Sequence, residues 1–350
     1  MNSRVPAAEP ALATIAVRTK NRPRLFERAI DDVLAQTSSA WRLLVINDGG
    51  ERTPVDAVIE ARLARFPTPP EVIEGDHPIG RDALFALALE HTTGEYLAIH
   101  DDDDTWSPDF LERTSAWLHD HPDHGAVAVS TQVVLEEITD AGIVQLSRFP
   151  LEIPHDTLSL FDLILGNRIP PIGMLLRRRT AEEVGGFDDT LSVLGDWDLT
   201  RRLATRAPIG YLGGAPLAFW HQRPNGTGDA ANSVHGDRQL HHQTDRLLRD
   251  RAIRDYISAH GTGELLYVSR LVDERVAATE NALTQRLSAS RHAVEVRVQE
   301  LQQNLDDRAP SMDELVARID VIVHRHTQYH SAAATLSRFA ARLMHPRRRR

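Results

Sequence analysis

The sequence has no cysteine and a single lysine, Lys20, and aromatic residues make up only 5% of it. Without cysteine there is no disulfide framework, no thiolate metal site and no thiol nucleophile. No run of about 18 apolar residues occurs, so no membrane-spanning helix is expected. Residues 1–10 lack the basic-then-apolar order of a secretory signal. We therefore expect a cytoplasmic protein, and the preference for arginine over lysine is typical of a GC-rich bacterial genome.

The charge balance is acidic. Forty basic residues against 50 acidic ones give a net charge of -10. Non-specific nucleic-acid binding needs a field of basic charge, so no nucleic-acid partner is expected. With 41% hydrophobic and 26% charged residues in a chain of 350, the composition is that of a folded protein with one large or two ordinary domains.

Short apolar runs alternate with helical patterns in the first hundred residues. Strands are predicted at 11–17, 43–46, 71–74 and 96–99, with helices after Pro23 and near 54–65 and 81–92. This alternation predicts an α/β fold with a parallel, doubly wound sheet. Ligands of such sheets bind beyond the carboxyl ends of the strands. Polar residues gather at those ends: Arg18 to Arg22, Asp48, and Asp101 to Asp104.

The pattern changes twice further along the chain. Strands at 126–137 and 142–149, a helix at 157–166, a strand at 172–177, a helix from 196 and a strand ending at 221 predict a mixed sheet. Beyond residue 235 only helices are expected. Apolar residues between 265 and 305 recur at steps of three and four, and Ser311 with Glu314 forms a capping box that opens a last helix at 311–344.

Four consecutive aspartates, Asp101 to Asp104, follow the apolar strand that ends near Ile99. Carboxylates this close repel one another unless they are solvated or neutralised by a cation. Mg²⁺ and Mn²⁺ prefer carboxylate oxygen and usually bridge to phosphate. A solvated acidic loop and a divalent-cation site are both open from the residues alone, and the position at a strand end favours the cation.

Four segments in order resemble the landmarks of family 2 glycosyltransferases with the GT-A fold. They are AVRTKNRPRLFERAIDDVLAQT, LLVINDGG, GEYLAIHDDDDTWSPDFLE and GGFDDTLSVLGDWDLTRRL. The resemblance covers roughly residues 12–222. It implies a GT-A (Rossmann-like) domain at 1–234 that binds a nucleotide sugar, followed by a helical extension at 235–350.

The resemblance also implies a donor site. Asp48 matches the residue that meets the base of the donor, a UDP- or dTDP-sugar, and Arg81 matches an arginine that contacts the nucleotide or its phosphate. In the D-x-D motif, Asp103 would bind a divalent cation (Mn²⁺ or Mg²⁺) and Asp102 the ribose, with Asp101 before them. The loop that touches the nucleotide would consist of Arg18, Thr19, Lys20, Asn21 and Arg22.

The same resemblance places the catalytic base at Asp196 and a histidine near the metal or diphosphate at His221. Asp188, Trp197 and Asp198 are weaker candidates for the acceptor side, with a structural turn as the alternative for Asp188 and the core for Trp197. The sequence departs from the family at Asn47 and Gly50 of NDGG, at Asp82 and at Gly195, which leaves donor-base preference and the ranking of Asp196 over Asp198 open. One carboxylate base without a second nucleophile favours inversion at the anomeric carbon.

Two other functions are compatible with parts of the sequence. A nucleotidyltransferase also holds metal through aspartates on an α/β sheet, but the loop VRTKNRP lacks the glycines of a phosphate loop. A non-catalytic scaffold with a decayed transferase domain would have lost its aspartates, which are intact. The C-terminal helices bury their apolar face either as a hairpin or against a second chain, and we expect a homodimer built on the hairpin. Arg347 to Arg350 suit weak contact with an anionic membrane surface at its inner face.

Overall fold

A computed structural model describes residues 12–75, 81–153, 158–224, 226, 238–308 and 311–344. The chain divides into two compact units, Met1–Tyr256 and Ile257–Arg350. The division falls after the boundary expected at 234, because the helix that follows residue 237 adds its own side chains to the first unit. Its Leu248 is buried against Leu191 and Trp197.

The first unit contains eleven strands among its described residues. They are β1 (Ala13–Thr19), β2 (Trp41–Asn47), β3 (Glu71–Glu74), β4 (Tyr96–Asp101), β5 (Thr105–Trp106), β6 (Ala126–Val129), β7 (Thr131–Thr139), β8 (Gly142–Pro150), β9 (Met174–Arg177), β10 (Ile209–Leu212) and β11 (Ala218–Gln222). The helices are α1 (Pro23–Leu34), α2 (Arg52–Glu60), α3 (Arg81–Glu90), α4 (Phe110–Asp120), α5 (Leu160–Leu165), α6 (Arg178–Glu183), α7 (Gly195–Arg206), α8 (Arg238–His260), α9 (Gly263–Arg308) and α10 (Met312–Met344).

A seven-stranded sheet forms the centre of the first unit, in the order β10-β6-β9-β4-β1-β2-β3. Its core strands are apolar on both faces because helices cover both sides. Leu43 and Val45 of β2 pack with residues of α1, α2 and α4. Leu44 and Ile46, which point the other way, pack with residues of α3, α6 and α7. Continuous apolar runs are what this two-sided burial requires.

The mixed sheet expected from the sequence is confirmed, and β9 supplies its antiparallel member by pairing with both β4 and β6. One strand prediction was wrong. The run 126–137 is not a single strand, since β6 ends at Val129 in the large sheet and β7 begins at Thr131 in a second one. Ser130 lies between the two strands, and its backbone forms hydrogen bonds with the backbones of Leu212 and Leu217.

The second sheet has four strands in the order β5-β11-β7-β8. The hairpin expected around residues 140–142 is confirmed as the β7–β8 pair. Its register shifts between Leu135 and Glu136, where Leu146 of β8 is the extra residue, as in a β-bulge. Glu136 of β7 is buried, whereas Glu137, the next residue of the same strand, is exposed.

Helices make up the described part of the second unit. The capping box is confirmed: the Ser311 hydroxyl accepts from the Glu314 backbone N–H at 3.2 Å, and the Glu314 carboxylate accepts from the Ser311 backbone N–H at 3.1 Å. A hairpin of α9 and α10 would bury the apolar faces of both helices against each other. Among the described side chains of these helices, the large apolar residues are exposed, so this burial is not observed there. In the described chain, each helix is too short or too polar to cross a bilayer.

Candidate active site

Three neighbouring parallel strands bring the first predicted residues together. The carboxyl ends of β1, β2 and β4 lie at one edge of the large sheet because β1 pairs in parallel with both neighbours. Arg18 of β1 donates from Nη2 to Oδ2 of Asp48 at 2.8 Å. The Asp48 backbone N–H donates to the Thr19 carbonyl at 3.0 Å, and that of Asp102 to the Arg18 carbonyl at 3.2 Å. The loop after β1, Asp48 after β2 and the aspartates after β4 therefore form one site.

The loop after β1 is fixed by side chains on both sides. Thr19 donates from Oγ1 to Oδ2 of Asp102 at 2.8 Å, and Arg22 donates to Oδ1 of Asp102 at 3.1 Å. Asn21 has a φ of 52°, a left-handed conformation that asparagine tolerates better than most residues. Its Oδ1 accepts from the Glu51 backbone N–H at 2.9 Å. Lys20, between them, is half-buried.

Arg81 begins α3, but its side chain lies outside the described residues. Its predicted contact with the nucleotide or phosphate therefore stays a prediction.

Asp101, Asp103 and Asp104 form a carboxylate cluster in which one oxygen of each lies within 4.8 Å of the others. Burial, followed by the charge of Asp103, raises the pKa of the adjacent Asp102 to about 6, although Arg22 opposes this shift. The same two causes raise the pKa of Asp104 well above its ordinary value. Buried carboxylates that resist ionisation need positive charge close by. Three hard oxygen donors fit a divalent cation such as Mn²⁺ or Mg²⁺.

A second group of residues, of which only His221 was predicted from the sequence, brings positive charge to this cluster. Arg223 pairs with Asp103, and it also donates from Nη1 to Oε1 of Glu136 at 2.6 Å. Arg28 donates from Nη1 to Oε2 of Glu136 at 2.7 Å and also contacts the Asp103 carbonyl. We call Arg28, Glu136, His221 and Arg223 the Glu136 network.

Glu136 is strongly ionised in this network. Burial alone would raise its pKa, but hydrogen bonds from His221 and Arg28 outweigh burial and lower the pKa to about 2. A buried acidic residue in a strand requires a cationic partner. An acidic residue within a predicted strand is therefore the one sequence signal that could have identified Glu136. The partners themselves lie 85 to 108 residues away along the chain.

His221 lies beside the carboxylate cluster, since its backbone N–H donates to Oδ1 of Asp104 at 2.8 Å. Its Nδ1 is 2.6 Å from Oε2 of Glu136, and its Nε2 is 2.9 Å from Oγ1 of Thr105. An ionised carboxylate only accepts, so Nδ1 carries the proton and a neutral ring accepts from Thr105 at Nε2. A metal at His221 would have to displace one of these bonds, and the assignment of His221 as a ligand stays a prediction.

Asp196 lies in the first turn of α7 and is buried. Its Oδ2 accepts from the Asn167 side-chain amide at 2.9 Å. Leu194, just before the helix, has a φ of 66°, which is costly for a branched side chain and is often found where a functional group must be placed.

Residues 14–185 match the profile of glycosyl transferase family 2. This part of the chain is a family 2 glycosyltransferase domain. Two curated relatives are similar over a longer stretch. A glycosyltransferase of Bacillus subtilis, YwdF, is 22% identical over 55% of this chain and 67% of its own length. A glycosyltransferase of a Nostoc species, alr2836, is 26% identical over 50% of this chain and 53% of its own. Both relatives are described as uncharacterized glycosyltransferases.

Solved structures support the fold. Residues 1–349 of TarS from S. aureus superpose with a TM-score of 0.50 at 16% identity, covering 60% of each chain. The same fragment with bound UDP-GlcNAc gives a TM-score of 0.50 at 15% identity, covering 63% of this chain and 61% of that one. At this identity the likeness establishes the GT-A fold alone. The present chain spans less than two thirds of the length of these TarS chains.

Among the acceptor-side candidates in the first unit, Trp197 is corrected by the structure. Trp197 is buried with Leu191 and Leu248, and its indole N–H donates to the Leu163 carbonyl at 2.6 Å. Its ring is a core element, so it offers no face to a sugar. Asp198 is also buried, and ion pairs at 2.8 and 2.7 Å tie it to Arg201 and Arg202 on its own helix.

Asp188 holds a turn of the first unit. Its Oδ1 accepts from the backbone N–H and hydroxyl of Thr190, and its Oδ2 pairs with Arg251 of α8 at 2.8 Å. Burial tends to raise the pKa of Asp188, but the hydrogen bonds from Thr190 and Arg251 lower it. These contacts describe a turn fastened to α8, which was the alternative to an acceptor-side role.

Proposed function

We propose that this chain transfers a sugar from a nucleotide-diphosphate sugar, of the UDP or dTDP class, to an acceptor hydroxyl with inversion at the anomeric carbon. The observation that carries the proposal is the direct bonding between Arg18, Asp48 and Asp102, which end three adjacent parallel strands. This edge is where open α/β sheets bind nucleotides. Binding of UDP-GlcNAc by TarS, which shares the fold, supports the choice of donor class.

The carboxylate cluster supports a requirement for Mn²⁺ or Mg²⁺. When bound, the cation supplies positive charge that stabilises the departing diphosphate. Asp101, Asp103 and Asp104 would hold it. Arg22 and Arg223 already contact Asp103, so they add positive charge at the same carboxylate and help to orient it.

Asp196 serves as the general base in this proposal. The acceptor hydroxyl loses its proton to Asp196 while its oxygen attacks the anomeric carbon, and the bond from that carbon to the diphosphate breaks in the same step. Asn167 fixes one carboxylate oxygen at 2.9 Å, so that the acid–base group has a defined orientation. A single displacement of this kind inverts the configuration.

The remaining partners stay predictions. Asp188 keeps a partly exposed carboxylate and lines a pocket together with Asp198, so an acceptor contact at these two residues stays a prediction. The cytoplasmic location and a contact between Arg347–Arg350 and the inner membrane surface also stay predictions, and those arginines lie outside the described residues.

The test uses the purified full-length chain with UDP-, dTDP- and GDP-sugars, each with Mn²⁺, Mg²⁺ or EDTA. We expect release of UDP or dTDP only when a divalent cation is present. Asp103→Ala should reduce this turnover at least about a hundredfold, and added Mn²⁺ should not restore it. Asp120→Ala, an exposed aspartate at the end of α4, is the matched control and should leave turnover unchanged.

The products distinguish the competing functions. Release of a sugar 1-phosphate in place of a nucleoside diphosphate would identify a nucleotidyltransferase, because transfer of the nucleotidyl group breaks the bond between the two phosphates and leaves the sugar–phosphate bond intact. Folded protein that binds no sugar nucleotide under any of these conditions would support the scaffold. Full turnover in EDTA would contradict the cation requirement while leaving sugar transfer in place.

A further inference from the structure

The apolar positions of α9 repeat every eleven residues. Successive positions of one helix face are separated by three, four and four residues three times over, and then by three and four residues. An eleven-residue repeat corresponds to 3.67 residues per turn and is typical of helices that pack with a right-handed supercoil, whereas a heptad repeat gives a left-handed one. We call this face the α9 stripe: Leu265, Val268, Val272, Val276, Thr279, Leu283, Leu287, Ser290, Val294, Val298, Leu301 and Leu305.

The two polar members of the α9 stripe do not interrupt this repeat. Thr279 and Ser290 are eleven residues apart, and they occupy the same position of the repeat as Val268 and Leu301. A heptad pattern would place a break at each of them. In the eleven-residue pattern, one of the three stripe positions accepts a smaller side chain in the middle of the helix, and the other two stay apolar throughout.

The α9 stripe has no cover in the described part of the chain. Its large apolar residues from Val268 to Leu301 are between 46% and 63% exposed, as on an isolated helix. At 46 residues, α9 is about 69 Å long. A strip of that length and about 10 Å wide has an area of roughly 700 Å², close to the ~800 Å² that each partner buries in a stable interface.

Charged rows with the same period flank the α9 stripe. One side carries an arginine in every repeat: Arg275, Arg286, Arg297 and Arg308. On the other side lies an acidic row, with an acidic residue in three of four repeats: Asp273, Glu295 and Asp306. One position of the repeat lies between the acidic row and the α9 stripe, and the charges of its four residues sum to zero: Ser269, Glu280, Arg291 and Gln302.

The two charged rows determine which helix can pair with α9 and whether the two helices run parallel or antiparallel. In a parallel two-fold pair, each flank of one helix faces the opposite flank of the other, so the arginine row would meet the acidic row. In an antiparallel pair like flanks face each other, and four arginines would oppose four arginines. We infer that α9 pairs in parallel and in register with α9 of a second copy of this chain, through an eleven-residue coiled coil.

The first test measures the mass of the full-length chain by light scattering at micromolar concentration, where a two-chain mass is expected. Val294→Glu places a charge in the α9 stripe and should reduce the mass to one chain. Val296→Glu makes the same change two residues away on the opposite face, where Val296 is 40% exposed, and should keep the two-chain mass. Both sites are exposed, so circular dichroism should show the same helix content in both variants.

The second test uses the absence of cysteine, because each introduced cysteine is the only thiol in the chain. Val268→Cys and Ser290→Cys are made separately at equivalent stripe positions about 33 Å apart along the helix. In a parallel, in-register pair, identical positions are adjacent, so oxidation with diamide should cross-link both variants. Val296→Cys, on the opposite face, should not cross-link.

The remaining outcomes overturn the inference. A single-chain mass for the unmodified protein, or any mass other than two chains, contradicts the pair. A two-chain mass that survives Val294→Glu places the interface elsewhere. Cross-linking at only one of the two stripe positions indicates an antiparallel pair, since such a pair brings identical positions together only at its midpoint.

Discussion

Glu136→Gln should destabilise the transferase domain more than any conservative change at an exposed acidic residue. Glu136 accepts from Arg28, His221 and Arg223 at 2.6 to 3.2 Å, and the Arg223 side chain is only 2% exposed. Glutamine has the same size but no charge, and its amide N–H groups would face other donors. Arg223 would keep only its pair with Asp103 among the contacts described above.

Two estimates of the magnitude agree. Removing one partner of a buried ion pair costs about 3–5 kcal/mol. The fall in the pKa of Glu136 from its ordinary value of 4.5 to about 2 corresponds to about 3 kcal/mol. Because the folded-state pKa is the lower one, this stabilisation is complete above pH 4.5 and is lost as pH falls towards 2. The stability difference between the wild type and Glu136→Gln should therefore shrink below pH 4.5.

Urea unfolding followed by tryptophan fluorescence measures this difference, since all five tryptophans lie within Met1–Tyr256. Glu137→Gln, the same change at the exposed neighbour, is the control and should stay within about 0.5 kcal/mol of the wild type. A loss below about 1 kcal/mol for Glu136→Gln at pH 7 would refute the reasoning, because the carboxylate would then not be what balances the buried arginines.

Other predictions separate catalysis, donor binding and packing. Asp196→Asn should lower transfer by about a hundred- to ten-thousandfold with nucleotide binding intact, whereas Asp198→Asn should instead cost about 1–3 kcal/mol of stability, as chemical denaturation would show. Asp48→Asn should weaken UDP binding in calorimetry, because its charge orients Arg18. Gly210→Ala places a Cβ inside the indole ring of α4 and should lower the free energy of unfolding by about 1–3 kcal/mol; Gly213→Ala, with ordinary spacing, should not.

Much of the fold of the first unit could be predicted from the sequence, because apolar runs and polar strand ends are local signals. A buried strand must be apolar, and a parallel sheet brings strand ends together, so Arg18, Asp48 and Asp102 could be predicted to meet. They do: Arg18 contacts Asp48 at 2.8 Å and Asp102 at 3.2 Å. The Ser311–Glu314 capping box is local in the same sense. The eleven-residue period of α9 is also a property of the sequence, visible once the steps are counted against 3.67 residues per turn instead of 3.5.

Residue periodicity alone determined which segments are buried, which are helical and where polar groups collect. Only the tertiary structure decided which distant side chains meet. Trp197 became a core residue because α8 closes over it with Leu248, and Glu136 became the centre of a buried network because β7 pairs with β11 and lies beside Arg28 and Arg223. Partners about 90 residues apart leave no periodic trace, since their pairing depends on how two sheets pack and not on the spacing within either.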